Sequence, residues 1–328
     1  MLKLGIVGTN WITDQFIAAA NESGCYMLHS VYSRKLETAK KFGEKYEKEI
    51  RYFNQMEDFL SDEELEVVYI ASPNGLHFEQ TKEVLNHKKH AIVEKPAFST
   101  PFEFAQITVL AKANGVFFFE AIRNLHDESF SLIQEFVCSK EVWGASFNYA
   151  KYSSRMDRVL NDEVPNIFSL KFSGGALMDL GVYLVYPAIA LFGVPREVHY
   201  FPTLLKTGVD GQGMAILDYG EFKVTLEVGK MNDSFAPSQV YFSDGTLVID
   251  DIANLEGACL HSRKGESQEL KLIPKENGMS DEASVFAKII EKNDTEKFGE
   301  LTLLAKQVNQ VMYDLRKSAG IRFASDGE

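Results

Sequence analysis

The chain has few cysteines, no excess of positive charge and no long unbroken apolar run. Its three cysteines lie far apart and form no C-x-x-C pair, so the sequence indicates neither a disulfide framework nor a zinc site. The net charge of -13 argues against a nucleic-acid-binding or anionic-membrane-binding surface. The most apolar stretch, residues 176–194, is interrupted by Asp179, Gly181 and Pro187, which is unlike a membrane span. Since the first predicted strand follows Met1 directly, we expect no signal peptide and a cytoplasmic location.

The first strand and turn lack most of a dinucleotide-binding fingerprint. Residues 4–7 form an apolar run that predicts a buried strand, and residues 11–20 continue with helical spacing. Such a strand–turn–helix unit binds a pyrophosphate in dinucleotide-binding folds, because the helix start presents backbone N–H groups. Only the first glycine of the pattern is present, so an ordinary strand–helix turn remains an alternative. The candidate cofactor contacts in this turn are Gly8, Thr9, Asn10, Trp11 and Ile12.

The second predicted strand, residues 26–32, lacks the acidic residue that normally follows it. In dinucleotide-binding folds an Asp or Glu at this point binds the adenosine ribose. This chain has Ser33, Arg34 and Lys35 instead, and a guanidinium suits a ribose 2′-phosphate in shape and charge. We therefore predict NADP(H) rather than NAD(H), with Ser33 and Arg34 as contacts. The alternative is a solvated turn in which Ser33 caps the next helix.

Polar residues also follow the next buried strands. The sequence after residues 67–70 is A-S-P-N-G-L-H, and the sequence after residues 90–93 is E-K-P. Because ligands bind at the carboxyl ends of parallel strands, these segments are candidate cofactor contacts. The residues concerned are Ser72, Pro73, Asn74, His77, Glu94 and Lys95, together with Arg123 after the sixth strand. A surface salt bridge at a strand end is the alternative interpretation of the E-K-P segment.

A change in composition near Arg123 sets the predicted domain boundary. The alternating strands and helices of residues 1–122 predict a doubly wound parallel sheet, an NAD(P)-binding Rossmann domain. In residues 123–328, short β-rich segments predict an α/β domain with a large open, mostly antiparallel sheet for substrate binding and dimerisation. Its C-terminal helix can pack back on the first domain. One exposed sheet face of this size would be an apolar liability in a monomer, so we expect a homodimer.

Residues 173–183 carry the chemistry of the second part. Two glycines introduce a predicted helix on which Asp179 and Tyr183 lie four residues apart and therefore share one face. A carboxylate and a phenol on an otherwise apolar helix need partners if they are buried. The alternative is a packed tyrosine whose hydroxyl is capped by the carboxylate. Further candidate substrate contacts are Tyr149, Lys151, Tyr152, Asn124 and His126.

The turn at Gly8, the S-P-N-x-x-H segment and the E-K-P segment together resemble the Gfo/Idh/MocA family, the relatives of glucose–fructose oxidoreductase and inositol dehydrogenase. The resemblance implies NAD(P)-dependent hydride transfer to or from a sugar-like alcohol or carbonyl. It also implies that Lys95 reaches both nicotinamide and substrate. The Lys95–Pro96 bond is expected to be cis, as in relatives. Many members have His where this chain has Tyr183. In this respect the chain resembles the branch that contains dimeric dihydrodiol dehydrogenases, NADP-dependent xylose dehydrogenases and glucose–fructose oxidoreductase, where the residue is Tyr.

The residue types suggest a mechanism. Oxidation of an alcohol needs a base for the hydroxyl proton, and reduction needs the same group as an acid. The pKa of a free phenol lies well above neutrality, but a nearby ammonium lowers it. We predict Lys95, Tyr183 and Asp179 as catalytic residues, with Lys95 and Tyr183 paired and Asp179 orienting one of them. Alternatively, Lys95 is the principal acid or base and Tyr183 only binds substrate. No metal is predicted.

Three classes of function follow. The first is an NADP-dependent oxidoreductase acting on a CH–OH group of a small sugar, polyol or diol. The second is a cofactor-binding regulator without turnover, which the incomplete glycine pattern leaves open and which Lys95, Asp179 and Tyr183 argue against. The third is a redox-neutral lyase or glycosidase that recycles a bound NAD, against which the Ser33-Arg34 pair argues. The sequence does not determine the substrate or the direction of reaction.

Overall fold

The computed structural model describes residues 1–46, 49–273 and 275–327. The chain divides into two compact units. The first unit consists of Met1–Arg123 and Asn277–Leu303, and the second of Asn124–Glu276 and Leu304–Glu328. The predicted boundary follows residue 122 and the observed one follows Arg123, while a C-terminal segment belongs to the first unit.

Within the described residues, the first unit has a six-stranded sheet in which all neighbouring strands are parallel. The strands are β1 (Leu2–Val7), β2 (Tyr26–Tyr32), β3 (Arg51–Phe53), β4 (Val67–Ile70), β5 (His90–Glu94) and β6 (Phe118–Ala121). Their order is β3-β2-β1-β4-β5-β6. The central strands are buried apolar runs, as expected for a parallel sheet covered on both faces. The predicted doubly wound fold is confirmed.

Helices alternate with these strands. They are α1 (Trp11–Ser23), α2 (Leu36–Gly43), α3 (Met56–Leu60), α4 (His77–Asn86) and α5 (Pro101–Asn114). Helix α5 begins with a capping box, in which Thr100 and Glu103 bond each other's backbone. It ends at Gly115, whose backbone is left-handed (φ +66°).

The returning C-terminal segment contributes to the core of the first unit. The Tyr26 hydroxyl donates a 2.9 Å hydrogen bond to the Ala283 carbonyl oxygen. The ring of Phe286 stacks on Phe119 with a centroid distance of 4.6 Å. These contacts bury the helix that spans Ser280–Lys292 against the sheet and α1.

The second unit has an eight-stranded sheet within the described residues. Its strands are β7 (Val142–Ala150), β8 (Glu197–Leu204), β9 (Asp210–Asp218), β10 (Lys223–Gly229), β11 (Ser238–Phe242), β12 (Gly245–Ile249), β13 (Ala258–Ser262) and β14 (Ser267–Leu270). Their order is β14-β13-β12-β11-β7-β10-β9-β8, and the pair β7–β10 is parallel whereas the other pairs are antiparallel. The predicted mostly antiparallel sheet is confirmed.

The remaining helices are α6 (Arg123–His126), α7 (Glu128–Cys138), α8 (Met156–Leu160), α9 (Val182–Phe192), α10 (Ser280–Lys292) and α11 (Thr295–Ser318). A π-helical turn, Leu177–Gly181, precedes α9. Of the described residues, one helical stretch, Leu170–Phe192, is long and apolar enough to cross a membrane, and 72% of its most apolar window is buried inside the protein. That burial is typical of a core helix.

Candidate functional site

Gly8 allows the ends of β1 and β4 to approach each other. Its backbone has φ +106°, and a Cβ atom there would lie 2.6 Å from the carbonyl oxygen of Ala71. An L side chain is therefore excluded by both conformation and space. The junction between β1 and β4 is the point at which the strand order of the sheet reverses, and such folds bind a dinucleotide at this point. The turn fits that cofactor.

Asn10 holds the turn where the fingerprint would have a glycine. Its Oδ1 accepts hydrogen bonds from the backbone N–H groups of Ile12 (3.0 Å) and Thr13 (3.4 Å), so it is the N-cap of α1. Its Nδ2 donates to the Ala71 carbonyl oxygen at 2.8 Å. Thr13 Oγ1 donates to the Gly8 carbonyl oxygen at 3.1 Å. Asn10 and Thr13, which stand where the fingerprint has glycines, thus stabilise the turn. A phosphate bound at this helix start would replace Asn10 Oδ1 as the acceptor of backbone N–H hydrogen bonds.

The segment after β2 carries the two predicted contacts for the ribose 2′-phosphate, Ser33 and Arg34. Arg34 is exposed, and the Ser33 backbone N–H donates to the Phe53 carbonyl oxygen at 3.1 Å. Helix α2 starts at Leu36 with Lys35 as its N-cap, and no side chain forms a capping hydrogen bond. The alternative role of Ser33 as the cap of α2 is therefore not observed.

His77 ties together the two turns that follow β4 and β5. The ring is buried, with Nε2 2.8 Å from the Ser72 carbonyl oxygen and Nδ1 3.2 Å from the Pro96 carbonyl oxygen. Burial lowers the pKa of His77. Pro73 and Asn74 lie half-buried in the first of these turns. The expected cis bond between Lys95 and Pro96 is present.

The E-K-P segment ends β5 with a buried glutamate. The Tyr69 hydroxyl donates a 2.5 Å hydrogen bond to Glu94 Oε1, and burial raises the pKa of Glu94. Lys95 is half-buried. The Ala97 N–H donates to Glu120 Oε1 at 2.9 Å, which anchors the chain beyond the proline. Because β4 and β5 are neighbours, Lys95 follows the strand next to the switch point.

A second buried glutamate in this unit is absent from the sequence prediction. Glu282 on α10 is 0% exposed, and neither carboxylate oxygen has a hydrogen-bond partner among the described residues. Burial, and then the charge of Glu94, raise the pKa of Glu282, while the Arg123 guanidinium lowers it. Glu282 lies on the same helix face as the buried apolar residues Met279, Phe286 and Ile289. A glutamate at an apolar position of a helical pattern is the sequence signal that could have identified it.

Glycines and a buried aspartate fix the start of the helix that carries Asp179. Gly175 has φ +121°, and a Cβ there would collide with Asp210 Oδ1. Asp210 Oδ2 accepts hydrogen bonds of 2.6 Å from the Leu177 N–H and from the Tyr200 hydroxyl. This arrangement anchors the π-helical turn Leu177–Gly181, and such turns are frequent at functional sites.

Asp179 forms an ion pair with Lys230, a residue that the sequence analysis did not select. The Lys230 side chain is 6% exposed and that of Asp179 is 22% exposed. Lys230 Nζ also lies 5.6 Å from the ring centre of Phe168. Lys230 directly follows β10, so a lysine at the end of a predicted β-rich segment is the signal that could have found it.

Tyr183 lies in the first turn of α9, one helical turn after Asp179, and is 8% exposed. Its ring contacts Tyr149 edge-on, with centroids 5.7 Å apart. Asn124 Nδ2 donates to the Tyr183 carbonyl oxygen at 3.3 Å. The structure thus brings three predicted residues of the second unit together. Tyr152 is exposed instead, and its hydroxyl donates to Asp157 Oδ1 at 2.7 Å.

One cluster of potential metal ligands occurs among the described residues. Ligand atoms of His29, Asp62 and Glu64 lie within 4.8 Å of one another. Arg51 Nη1 lies 2.8 Å from Asp62 Oδ1, and Glu64 is paired with both Arg51 and Lys3. The carboxylate charges are therefore already compensated by side chains of the protein.

Two family patterns match the chain. Residues 2–122 match the oxidoreductase family with an NAD-binding Rossmann fold, and residues 148–248 match the GFO/IDH/MocA C-terminal domain. The chain belongs to the Gfo/Idh/MocA family. The expected family and the expected class, an oxidoreductase enzyme with a nicotinamide-dinucleotide-binding domain, are confirmed.

Relatives of similar length support this assignment. The chain is 37% identical to the uncharacterized oxidoreductase YgjR of Escherichia coli over 327 residues, with 99% of each chain covered. It is 35% identical to scyllo-inositol 2-dehydrogenase (NADP(+)) IolU of Bacillus subtilis, also with 99% of each covered. The mouse trans-1,2-dihydrobenzene-1,2-diol dehydrogenase is 25% identical, with 99% of each covered.

Solved structures show the same fold. The 3-ketoreductase KijD10 of Actinomadura kijaniata, in complex with NADP and TDP-benzene, has a TM-score of 0.84 at 17% identity and 97% coverage of both chains. A putative NADPH-dependent oxidoreductase of Desulfitobacterium hafniense also has a TM-score of 0.84, at 19% identity, covering 97% of this chain and 96% of that one.

Proposed function

We propose that this protein is an NADP-dependent oxidoreductase that transfers a hydride between nicotinamide and a sugar-, polyol- or diol-like alcohol or carbonyl. The observation that carries the proposal is the E-K-P turn at the carboxyl end of β5, which His77 ties to the Ser72–Asn74 turn at the switch point of the same sheet. Two relatives support the substrate class, since one is named as a scyllo-inositol dehydrogenase and another as a dihydrodiol dehydrogenase.

The cofactor proposed is NADP. Arg34 follows β2 in place of an acidic residue, and a relative at 35% identity is named as NADP(+)-dependent. The Gly8–Ile12 turn would hold the pyrophosphate, and Ser33 and Arg34 would hold the 2′-phosphate. Ser72, Pro73 and Asn74 would contact the part of the cofactor that lies beyond the pyrophosphate. When bound, the nicotinamide accepts or supplies the hydride.

Lys95 and Tyr183 are the proposed acid–base groups. A half-buried lysine at the end of β5 and a buried phenol can each hold or deliver the proton of a substrate hydroxyl. In the alternative that we keep, Lys95 alone exchanges the proton and Tyr183 binds the substrate. Asp179 is proposed to orient the reacting group, and its partner in its own unit is Lys230.

A spectrophotometric screen at 340 nm tests the function. NADP⁺ with inositols, aldoses and dihydrodiols, and NADPH with dicarbonyls, should reveal turnover of at least one polyol or diol. The same substrate should give a higher kcat/KM with NADP⁺ than with NAD⁺. Cofactor binding without turnover across this panel would contradict the proposal and favour a regulator. Tightly co-purified NAD with no net absorbance change would favour a redox-neutral lyase.

We also propose a homodimer that forms through the open face of the second unit's sheet. Phe201 and Met214 are cross-strand neighbours on β8 and β9, and both are exposed. Paired apolar side chains on an exposed sheet face are typical of an interface between subunits. Light scattering should give the mass of a dimer for the wild type and of a monomer for the Phe201→Glu/Met214→Glu variant.

A further inference from the structure

We propose that Glu282 is a positioning residue, which holds a proton beside Glu94 and thereby fixes the charge next to the E-K-P turn. A neutral Glu282 lets Glu94 keep its negative charge, and Glu94 in turn holds the adjacent Lys95. The inference rests on the proposed function, in which Lys95 exchanges the substrate proton. It adds a residue that acts on Lys95 through Glu94.

The strands place Glu94 on the face of the sheet that α10 covers. Alternate side chains of a strand point to the same face. Ile92 on β5 belongs to the core cluster that includes Phe286 of α10, so Glu94, two residues later, faces the same side. Tyr69 also belongs to this cluster, and its hydroxyl donates to Glu94 Oε1. Glu94 therefore lies on the α10 side of the sheet.

Two contacts fix how α10 runs along β6. Before the helix, a Cβ atom at Gly278 would lie 3.4 Å from Arg123 Nη1. Within the helix, the ring of Phe286 stacks on Phe119 with a centroid distance of 4.6 Å. Glu282 follows Gly278 and precedes Phe286 by the same number of residues. It therefore lies between the two contacts, over the carboxyl end of β6.

Glu282 and Glu94 lie at the same level of this face. The last residue of β6, Ala121, pairs with Glu94 in the neighbouring strand. Glu282 is fully buried, and neither of its oxygens has a hydrogen-bond partner among the described residues. Glu94 instead accepts hydrogen bonds from the Tyr69 hydroxyl and the Lys95 N–H. Hydrogen bonds therefore support the charged form of Glu94 and not that of Glu282.

The charges around Glu282 also favour its neutral form. The titratable or charged groups around this part of α10 are Glu22 of α1, Tyr26 of β2, Glu94 of β5, Arg123 after β6 and Asp281 of α10 itself. Burial, and then the charge of Glu94, raise the pKa of Glu282, while Arg123 lowers it. Lys95 and Arg123 both favour the charged form of Glu94. Glu94 is therefore the first of the two to ionise, and Glu282 keeps the proton.

Ionisation of Glu282 would place a second negative charge beside Glu94. The two carboxylates would repel each other and compete for the Arg123 guanidinium. Because Glu94 ends β5 and Lys95 follows it directly, a shift of Glu94 would move Lys95. A displacement of about 1 Å at a reacting group costs about a hundredfold in rate. The proton on Glu282 therefore keeps Lys95 in its working position.

The test compares Glu282→Gln, which keeps the shape of the side chain and cannot ionise, with Glu291→Gln at an exposed position of the same helix. Infrared spectra at pH 7 detect protonated carboxyl groups. Steady-state kinetics with NADP⁺ and the polyol found in the screen give kcat from pH 6 to pH 10, and fluorescence gives NADPH affinity at the same pH values. Circular dichroism checks that each variant is folded. If Glu282→Gln does not fold, Glu282→Met, which is similar in length and uncharged, replaces it.

The wild type and Glu291→Gln should show an infrared band of a protonated carboxyl group that Glu282→Gln lacks. The ratio of kcat in Glu282→Gln to kcat in the wild type should rise at least about threefold from pH 6 to pH 10, because the wild type alone acquires the second charge. The same ratio for Glu291→Gln should stay constant.

An unchanged infrared band in Glu282→Gln, or no such band in the wild type, would show that Glu282 holds no proton. A ratio of kcat values that does not depend on pH would show that Glu282 is only structural. Each of these results overturns the inference while the proposed function stands. If the wild type oxidises no polyol or diol, the proposed function is wrong, and the ratio of NADPH affinities, for which we expect the same dependence on pH, tests the inference by itself.

Discussion

The amide Nδ2 of Asn10 donates a 2.8 Å hydrogen bond to the carbonyl oxygen of Ala71, which joins the turn after β1 to the end of β4. The same side chain caps α1 through two backbone N–H groups. Asn10 therefore stabilises the apoprotein by using the donors that would otherwise face a pyrophosphate. Stability and cofactor affinity should respond to its removal in opposite directions.

We expect Asn10→Gly to lower the free energy of unfolding by about 0.5–1.5 kcal/mol, mainly through loss of the hydrogen bond to Ala71, because glycine is itself tolerated as an N-cap. The affinity for NADPH should be equal or higher, because the N–H group of Ile12 loses its side-chain partner and becomes available to the pyrophosphate. Urea unfolding and fluorescence titration measure the two quantities. Asn54→Ala, at an exposed position of the same unit, is the control. Weaker NADPH binding in Asn10→Gly would show that the amide itself contacts the cofactor.

Arg34 should discriminate between the two nicotinamide cofactors. Arg34→Ala is expected to raise KM for NADPH at least about tenfold, because an exposed guanidinium paired with the 2′-phosphate is lost. KM for NADH should change less than twofold. Lys35→Ala, at the exposed next position, is the control for a general loss of positive charge. Parallel increases for both cofactors would contradict the assignment of Arg34 to the phosphate.

Much of the first unit could be predicted because its signals are local. Short apolar runs that alternate with segments of helical spacing predicted the parallel sheet. β13 and β14 were not predicted, since β14 is polar and largely exposed and shows no alternation. Lys230 was not selected because its partner Asp179 lies 51 residues away, and only tertiary packing shows that the lysine is buried.

Lys95→Met and Tyr183→Phe should each lower turnover at least about a hundredfold, because each removes a group proposed to hold the substrate proton. NADPH affinity should be unchanged in both. Tyr152→Phe removes a phenol that is exposed and bonded to Asp157, and it should keep normal turnover. Steady-state kinetics with the polyol found in the screen measures the effect. A large loss in Lys95→Met with little change in Tyr183→Phe would favour Lys95 as the single acid–base group.

Glu282 should make the stability of the protein decrease as the pH rises. Burial and the charge of Glu94 raise the pKa of Glu282 in the folded state, so the folded protein keeps a proton that the unfolded chain releases above its ordinary pKa. The stabilisation from this proton is present below the unfolded pKa and is lost progressively as the pH rises toward the folded value. Glu282→Gln cannot ionise, so its advantage over the wild type should grow with pH.

We therefore expect Glu282→Gln to be about as stable as the wild type near pH 4.5 and more stable by roughly 1–3 kcal/mol at pH 8. Denaturant unfolding at both pH values measures the difference. Glu291→Gln changes an exposed glutamate of the same helix and should shift neither value by more than about 0.5 kcal/mol. If Glu282→Gln were less stable than the wild type at pH 8, the glutamate would have to be ionised in the folded protein. In that case Arg123 would outweigh burial and Glu94 as the group that sets its charge.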